Sequence, residues 1–299
     1  MIRIINTCSQ IAELFEDGNL HLGKWEQYMN SIYDNSAYML KEDLEEYFVS
    51  GHYTFEKDFL PMINAVCKNP ALELLQDSFV AVTHDLNGKI KKSFHNELNM
   101  DIVLYLGLGN SAGRMANING RETILLGIEK ILELKWYGID ALRGLIYHEL
   151  GHAYHKQYGS LNQDSSDNQK NFVWHLFTEG IAMYFEQVLA DDLTYFHQDK
   201  SGWRAWCDAH FQQILSDFHR DLPGMTRMNQ RYFGDWADYY GYGDVGYYLG
   251  TRFVHWLVGE YDFEQLIHLD IDGVYNLYLN FTAAQGDLAE HTDNFAGQL

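Results

Sequence analysis

The segment His148-Glu149-Leu150-Gly151-His152 sets two imidazoles and a carboxylate within little more than one helical turn. Residues at i and i+4 of a helix share a face, with Cβ atoms about 6 Å apart. That spacing suits two bonds of about 2.1 Å to a single zinc ion. Glu149 stands beside the first ligand, where its carboxylate reaches a water at the metal without ligating the metal itself, the position of a general base. A catalytic zinc takes three protein ligands and keeps one position open. The longer pattern HExxHxxGxxH does not supply the third, because positions 155 and 158 are His and Tyr. The next candidate is Glu179, within Phe177-Thr-Glu-Gly-Ile-Ala-Met-Tyr-Phe185. A carboxylate among apolar residues in mid-helix is costly to bury unless it is paired or holds a cation. Zinc would answer that cost; a solvent-facing Glu or a buried Arg are the other solutions. Gly180 is expected to let the Glu179 helix approach the HELGH helix closely. Glu186, two turns on, is the fallback ligand or an outer partner, and His155 and His175 read as ordinary polar contacts.

Helices must carry these groups. Pro61, Pro70 and Pro223 are the only prolines, so residues 71–222 lack the strongest helix breaker. The pattern predicts active-site helices over 140–157, capped by Asp140 with Gly159 just past its end, and over 169–190. A further helix follows Asp244. Ahead of them, Asp101-Ile-Val-Leu-Tyr-Leu106 has the length and residue types of a buried strand. Residues 114–118 and 121–126 read as a hairpin around Asn119-Gly120, whose two residues supply the positive φ angles of a tight type I′ turn. Residues 9–98 read mostly as helices, including one over 71–79. The expected fold is α+β, a small mixed sheet with an antiparallel edge hairpin packed on a mainly helical lobe. A helical region 1–100 would precede a catalytic region 101–299, with its sheet at 101–128.

Composition narrows the function classes. The chain has 299 residues, 46% hydrophobic and 15% aromatic, enough for a sizeable core. Its 21 Lys+Arg against 42 Asp+Glu leave a net charge of −21, which repels phosphate backbones and anionic headgroups. Nucleic acid and membrane are therefore not expected partners, and no apolar run approaches the roughly 20 residues of a span. Three widely spaced cysteines (Cys8, Cys67, Cys207) and a start without a secretion signal point to a reducing, cytoplasmic setting.

HELGH followed, after 26 intervening residues, by Glu179-Gly-Ile-Ala resembles the gluzincin metallopeptidases. Asp244-Val-Gly-Tyr-Tyr-Leu-Gly250 is similar to the Gly-Tyr-x-x-Gly segment of a group of predicted zinc-dependent proteases. The resemblance implies a zincin-like fold and zinc on His148, His152 and Glu179. It also implies Glu149 as general base, Tyr247 as donor to the oxyanion, and a peptide or protein substrate. Tyr242, Tyr248 and His255 are the alternative donors, since five tyrosines crowd 239–248. It further implies that an edge strand beside the HELGH helix pairs with extended substrate, and Met115, Ala116 and Asn117 are the candidates for that contact. Two other readings share the residues: a zinc-binding interaction module without catalysis, and a hydrolase of non-peptide amides. Gly107-Leu-Gly109-Asn-Ser-Ala112 matches a dinucleotide-binding glycine pattern after a strand, but glycines and asparagines follow where a helix should open to hold phosphate.

Overall fold

The computed structural model describes residues 1–48, 53–234 and 237–296. It divides into two compact units, Met1–Glu149 and Leu150–Leu299. The boundary expected at residue 100 is not where the contacts part, and the reason lies at the N-terminus. Strand β1 (Arg3–Asn6) runs parallel to β4 (Asp101–Tyr105), so the first residues belong to the same sheet as the strands a hundred residues later.

In the first unit the sheet has the order β1-β4-β6-β5, with β6 at Arg121–Gly127 and β5 at Gly113–Ile118. β4 and β6 are parallel, whereas β5 and β6 form the antiparallel hairpin that ends the sheet. All five residues of β4 are buried, the expected burial for a central parallel strand that reads as a continuous apolar run. Asn119 and Gly120 take φ of 53° and 80°, as the tight turn requires. Asp101 is buried at the head of β4 and accepts hydrogen bonds from Arg3, Tyr33 and Arg121. Burial alone would raise its carboxyl; those bonds outweigh it and hold the group below its ordinary range. A short hairpin, β2 (Phe15–Glu16) with β3 (Asn19–Leu20), interrupts the largely helical run expected over 9–98. The helices there are α1 (Leu22–Ile32), α2 (Ser36–Phe48), α3 (Leu60–Val66), α4 (Leu72–Thr83) and α5 (Leu86–Phe94). After the sheet come α6 (Ile128–Glu133) and α7 (Ile139–Tyr158), the helix that carries HELGH and within which the division falls.

The second unit is helical: α8 (Asn168–Ala190), α9 (Trp203–Ala209), α10 (Phe211–Asp221), α11 (Val245–Leu257), α12 (Phe263–Ile267) and α13 (Ile271–Ala296). Most of α8 between 173 and 189 is buried, so its middle is covered around most of its circumference rather than along one stripe. Asp167 caps it by accepting the Gln169 N–H. Among the described residues no helix is long and apolar enough to cross a membrane.

The glycine pattern at 107–112 has a local explanation. The N–H groups of Gly107 and Gly109 donate to the buried carboxylate of Glu129 at 2.8 and 2.9 Å. A Cβ at Gly107 would fall 2.4 Å from Glu129 Oε1. The loop wraps the buried carboxyl group of Glu129.

Candidate metal centre

α7 presents the two histidines from one unbroken helix, and α8 presents Glu179. A ligand atom from each of His148, His152 and Glu179 lies within 4.8 Å of the others, with His148 and Glu179 buried and His152 half-buried. Among the described residues no fourth His, Cys, Asp or Glu belongs to the group. His152 Nε2 stands 3.3 Å from Glu179 Oε2. Two donors bound tetrahedrally at about 2.1 Å to zinc are about 3.4 Å apart, so this pair already has the spacing of one coordination edge. The other Glu179 oxygen, Oε1, is 3.5 Å from Nδ1 of His175, which lies one turn earlier on α8. A buried carboxylate aimed at imidazoles, in a set of two nitrogen donors and one oxygen donor, fits zinc.

What brings α7 and α8 together differs from expectation. Gly180 does not face the HELGH helix: a Cβ there would strike the carbonyl oxygen of Gly250 at 2.3 Å, so it serves the crossing of α8 with α11. Gly250 is its counterpart, since a Cβ on it would meet the Leu176 carbonyl at 2.4 Å. The glycine that admits α8 to the HELGH helix is Gly151, within the motif itself. Its missing Cβ would lie 2.7 Å from Ala182 Cα and 3.0 Å from Ala182 O. The two outer glycines of the 246–250 segment are thus packing devices, with Gly246 seated against the Phe233 ring.

Glu149 is buried and lies toward the hairpin. A Cβ on Gly113, the first residue of β5, would come within 3.4 Å of Glu149 Oε1 and 2.8 Å of a Leu145 methyl. The edge strand therefore comes closest to Glu149 at Gly113. Met115, Ala116 and Asn117 follow it along β5, and Asn117 lies four residues on, about 13 Å away at the rise of a strand. On its sheet side β5 pairs with β6, Met115 opposite Ile124 and Asn117 opposite Glu122. β5 is an edge strand.

The oxyanion candidates separate by their partners. Tyr248 is buried and donates its hydroxyl to Asp208 at 2.7 Å. Tyr242 stacks on Trp206 with ring centres 4.0 Å apart, and His255 shares a 2.7 Å hydrogen bond with Gln187 Oε1. Tyr247, half-buried in the first turn of α11, has its ring 5.9 Å from Phe233, whose ring is 4.4 Å from that of His175. Of the four, Tyr247 is the one joined by ring contacts to the surroundings of Glu179. Asp244 occupies the position before α11 with φ 58°, but its carboxylate accepts the Gly234 N–H instead of capping the helix. Asp140 likewise lies inside α7, bonded to Arg143, rather than at its cap.

The remaining polar residues sort out plainly. Glu186 is fully buried and pairs with His197 Nδ1 at 2.9 Å, so it stands apart from the His148, His152 and Glu179 group. His155 is fully buried with its ring against Trp174 and Phe177. Gly151 and Gly113 carry no chemistry of their own, and residue type gives no sign of their place beside the site. The close helix approach expected at Gly180 is made at Gly151 instead. Comparison of the chain with protein-family models, curated proteins and solved structures finds no match.

Proposed function

We propose that this chain is a zinc-dependent metallopeptidase of the gluzincin type, with a zincin-like catalytic region. The observation that carries the reading is the three-donor set His148, His152 and Glu179, with Glu149 beside its first member. Structural zinc is usually closed by four protein ligands, so a three-donor set favours catalysis over an interaction module. When bound, zinc supplies a Lewis acid and brings the pKa of a water to about 7. Glu149 takes the proton of the attacking water on its carboxylate and delivers it to the leaving amine nitrogen. Its burial beside Leu145 keeps bulk water from competing for that proton. Tyr247 donates its phenolic hydrogen to the oxyanion as charge develops on the scissile carbonyl oxygen. The edge of β5 takes up an extended peptide by main-chain hydrogen bonds, beginning at Gly113 and continuing through Met115, Ala116 and Asn117. Three cysteines, none of them in a disulfide, fit a reducing compartment such as the cytoplasm.

The test is Glu149→Gln. The variant keeps shape and hydrogen bonding but loses the base, so metal content should stay at one zinc per chain. Peptide turnover should fall by about 10²–10⁴-fold. Chelation should abolish wild-type turnover and zinc should restore it. Turnover within a few-fold of wild type in Glu149→Gln, or chelator-insensitive cleavage, would overturn the mechanism. Full zinc occupancy in Glu179→Ala would overturn the ligand set.

A further inference from the structure

A cleft of about 440 Å³ opens in the second unit beside α11. Gly246, Gly250 and Val254 contact Phe233 or Gly180, whereas Tyr248, Thr251, Arg252 and His255 line the cleft. The volume lies in the range of small-molecule sites. Its walls combine the half-buried Trp256 ring, and the edges of the buried Phe196 and Phe281, with two guanidiniums, Arg204 and Arg252.

Both guanidiniums are braced, yet neither is spent. Arg252 lies over the Phe211 ring at 4.4 Å and donates from Nη1 to the Tyr248 hydroxyl at 2.9 Å. Arg204 donates from Nη1 to the Thr194 carbonyl at 2.8 Å. The nearby carboxylate, Asp208, is 3.6 Å from each guanidinium, beyond hydrogen-bond length. It accepts instead from Tyr248. Five N–H donors per arginine leave Nε and Nη2 of Arg252 and Nη2 of Arg204 without a hydrogen bond to any described residue. The two side chains are 36% and 41% exposed, so a ligand can reach them. Burial holds the His255 imidazole below its ordinary range, with Arg252 adding to the effect, so His255 is neutral at pH 7. Among the lining residues two guanidiniums face one carboxylate, Asp208, while Asp192 and Asp199 stand near Arg204 outside the lining, in a chain whose total charge is −21.

We infer that this cleft binds a small organic monocarboxylate with an apolar body, its carboxylate on Arg252 and Arg204 and its body against Trp256 and Phe281. The planar fork of a guanidinium matches a carboxylate in two-point contact, and the aromatic wall gives an inorganic anion nothing to bury. With Asp208, Asp192 and Asp199 close by, a dianion meets more repulsion than a monoanion. The site does not use the zinc ligands or Glu149, so it stands or falls apart from the peptidase reading.

The experiment is calorimetric titration of the full chain with 3-phenylpropionate, hexanoate and benzoate, with 3-phenylpropanol as neutral control and inorganic phosphate as bare anion. At least one carboxylate should bind with Kd of about 0.1–1 mM, the affinity expected of a ligand this small. The alcohol and phosphate should each bind at least about tenfold more weakly. Arg204→Gln removes a part-exposed guanidinium and should weaken carboxylate binding about tenfold or more, read alongside its circular dichroism because it also loses the Thr194 contact. Arg252→Gln should do the same, read alongside its circular dichroism because it also loses the Phe211 contact. No carboxylate of the series binding by about 10 mM would overturn the inference. So would equal binding of acid and alcohol, equal binding of phosphate, or undiminished binding in a folded Arg204→Gln.

Discussion

Gly151→Ala tests the packing that places His152 against Glu179. The added Cβ would stand 2.7 Å from Ala182 Cα and 3.0 Å from Ala182 O. Both are backbone atoms and cannot rotate aside. Carbon pairs rest at about 3.5–4.0 Å, so α7 and α8 must part by about 1 Å. Two effects oppose each other. Replacing a helical glycine by alanine gains about 0.5–1 kcal/mol from the unfolded chain and helix propensity. Overpacking a close contact costs about 1–3 kcal/mol. The second wins, and the metal-free variant should lose about 1–2 kcal/mol in urea unfolding. Gly286 on α13, where a Cβ meets nothing within 4 Å, is the control and should be stabilised by alanine. The metal arm is more sensitive. The 3.3 Å spacing of His152 Nε2 and Glu179 Oε2 would shift by much of that 1 Å. Zinc–ligand distances tolerate only about 0.2 Å, so competition with a chromophoric chelator should show zinc affinity down by about 10–100-fold or more. An alanine variant as stable as wild type, with unaltered zinc affinity, would refute the claim that this contact sets the site.

Three further outcomes follow from particular contacts. Tyr247→Phe should lower kcat about 10²–10³-fold with little change in KM, as loss of an oxyanion donor does, whereas Tyr242→Phe should stay within a few-fold because its ring remains on Trp206. A co-structure with an extended peptide-like inhibitor should show main-chain hydrogen bonds to β5 within residues 113–118; none there would remove the strand-addition idea. Burial pushes the Glu129 carboxyl up from 4.5 to about 7, the N–H bonds from Gly109 and Gly107 restraining the rise. The folded state therefore holds that proton more tightly than the unfolded chain. Its contribution is full below the unfolded value and lost as pH rises through about 7. Urea unfolding between about pH 5 and 8 should show wild type losing about 2–3 kcal/mol relative to Glu129→Gln, and a pH-independent difference would refute this.

Local rules made much of the scaffold legible. Positions four apart on one helix put His148 and His152 on a common face without reference to anything distant, and α7 runs 139–158 against 140–157 expected. Asn119-Gly120 demands positive φ at both residues, so its hairpin was readable from two letters. Apolar spacing likewise located α8 and β4 to within a residue or so. Contacts between distant segments were not legible, because periodicity says that a residue is buried and not against what. Burial of Glu179 could be argued from its neighbours; its placement 3.3 Å from His152 Nε2 is a property of two packed helices. Which glycine serves which crossing was decided by helix geometry: Gly151 meets Ala182, while Gly180 meets Gly250 seventy residues on. The pairing of β1 with β4 joins residues 3 and 101, and nothing in a four-residue strand names a partner that far along the chain. Among tyrosines that look alike in sequence, Tyr248 and Tyr242 are drawn off by Asp208 and Trp206, and Tyr247 is left on the side of α11 nearest the Phe233 and His175 rings. Chemistry of residue type and short spacing belongs to the sequence; the choice among equivalent residues belongs to tertiary packing, because only there do groups far apart in the chain compete for one another.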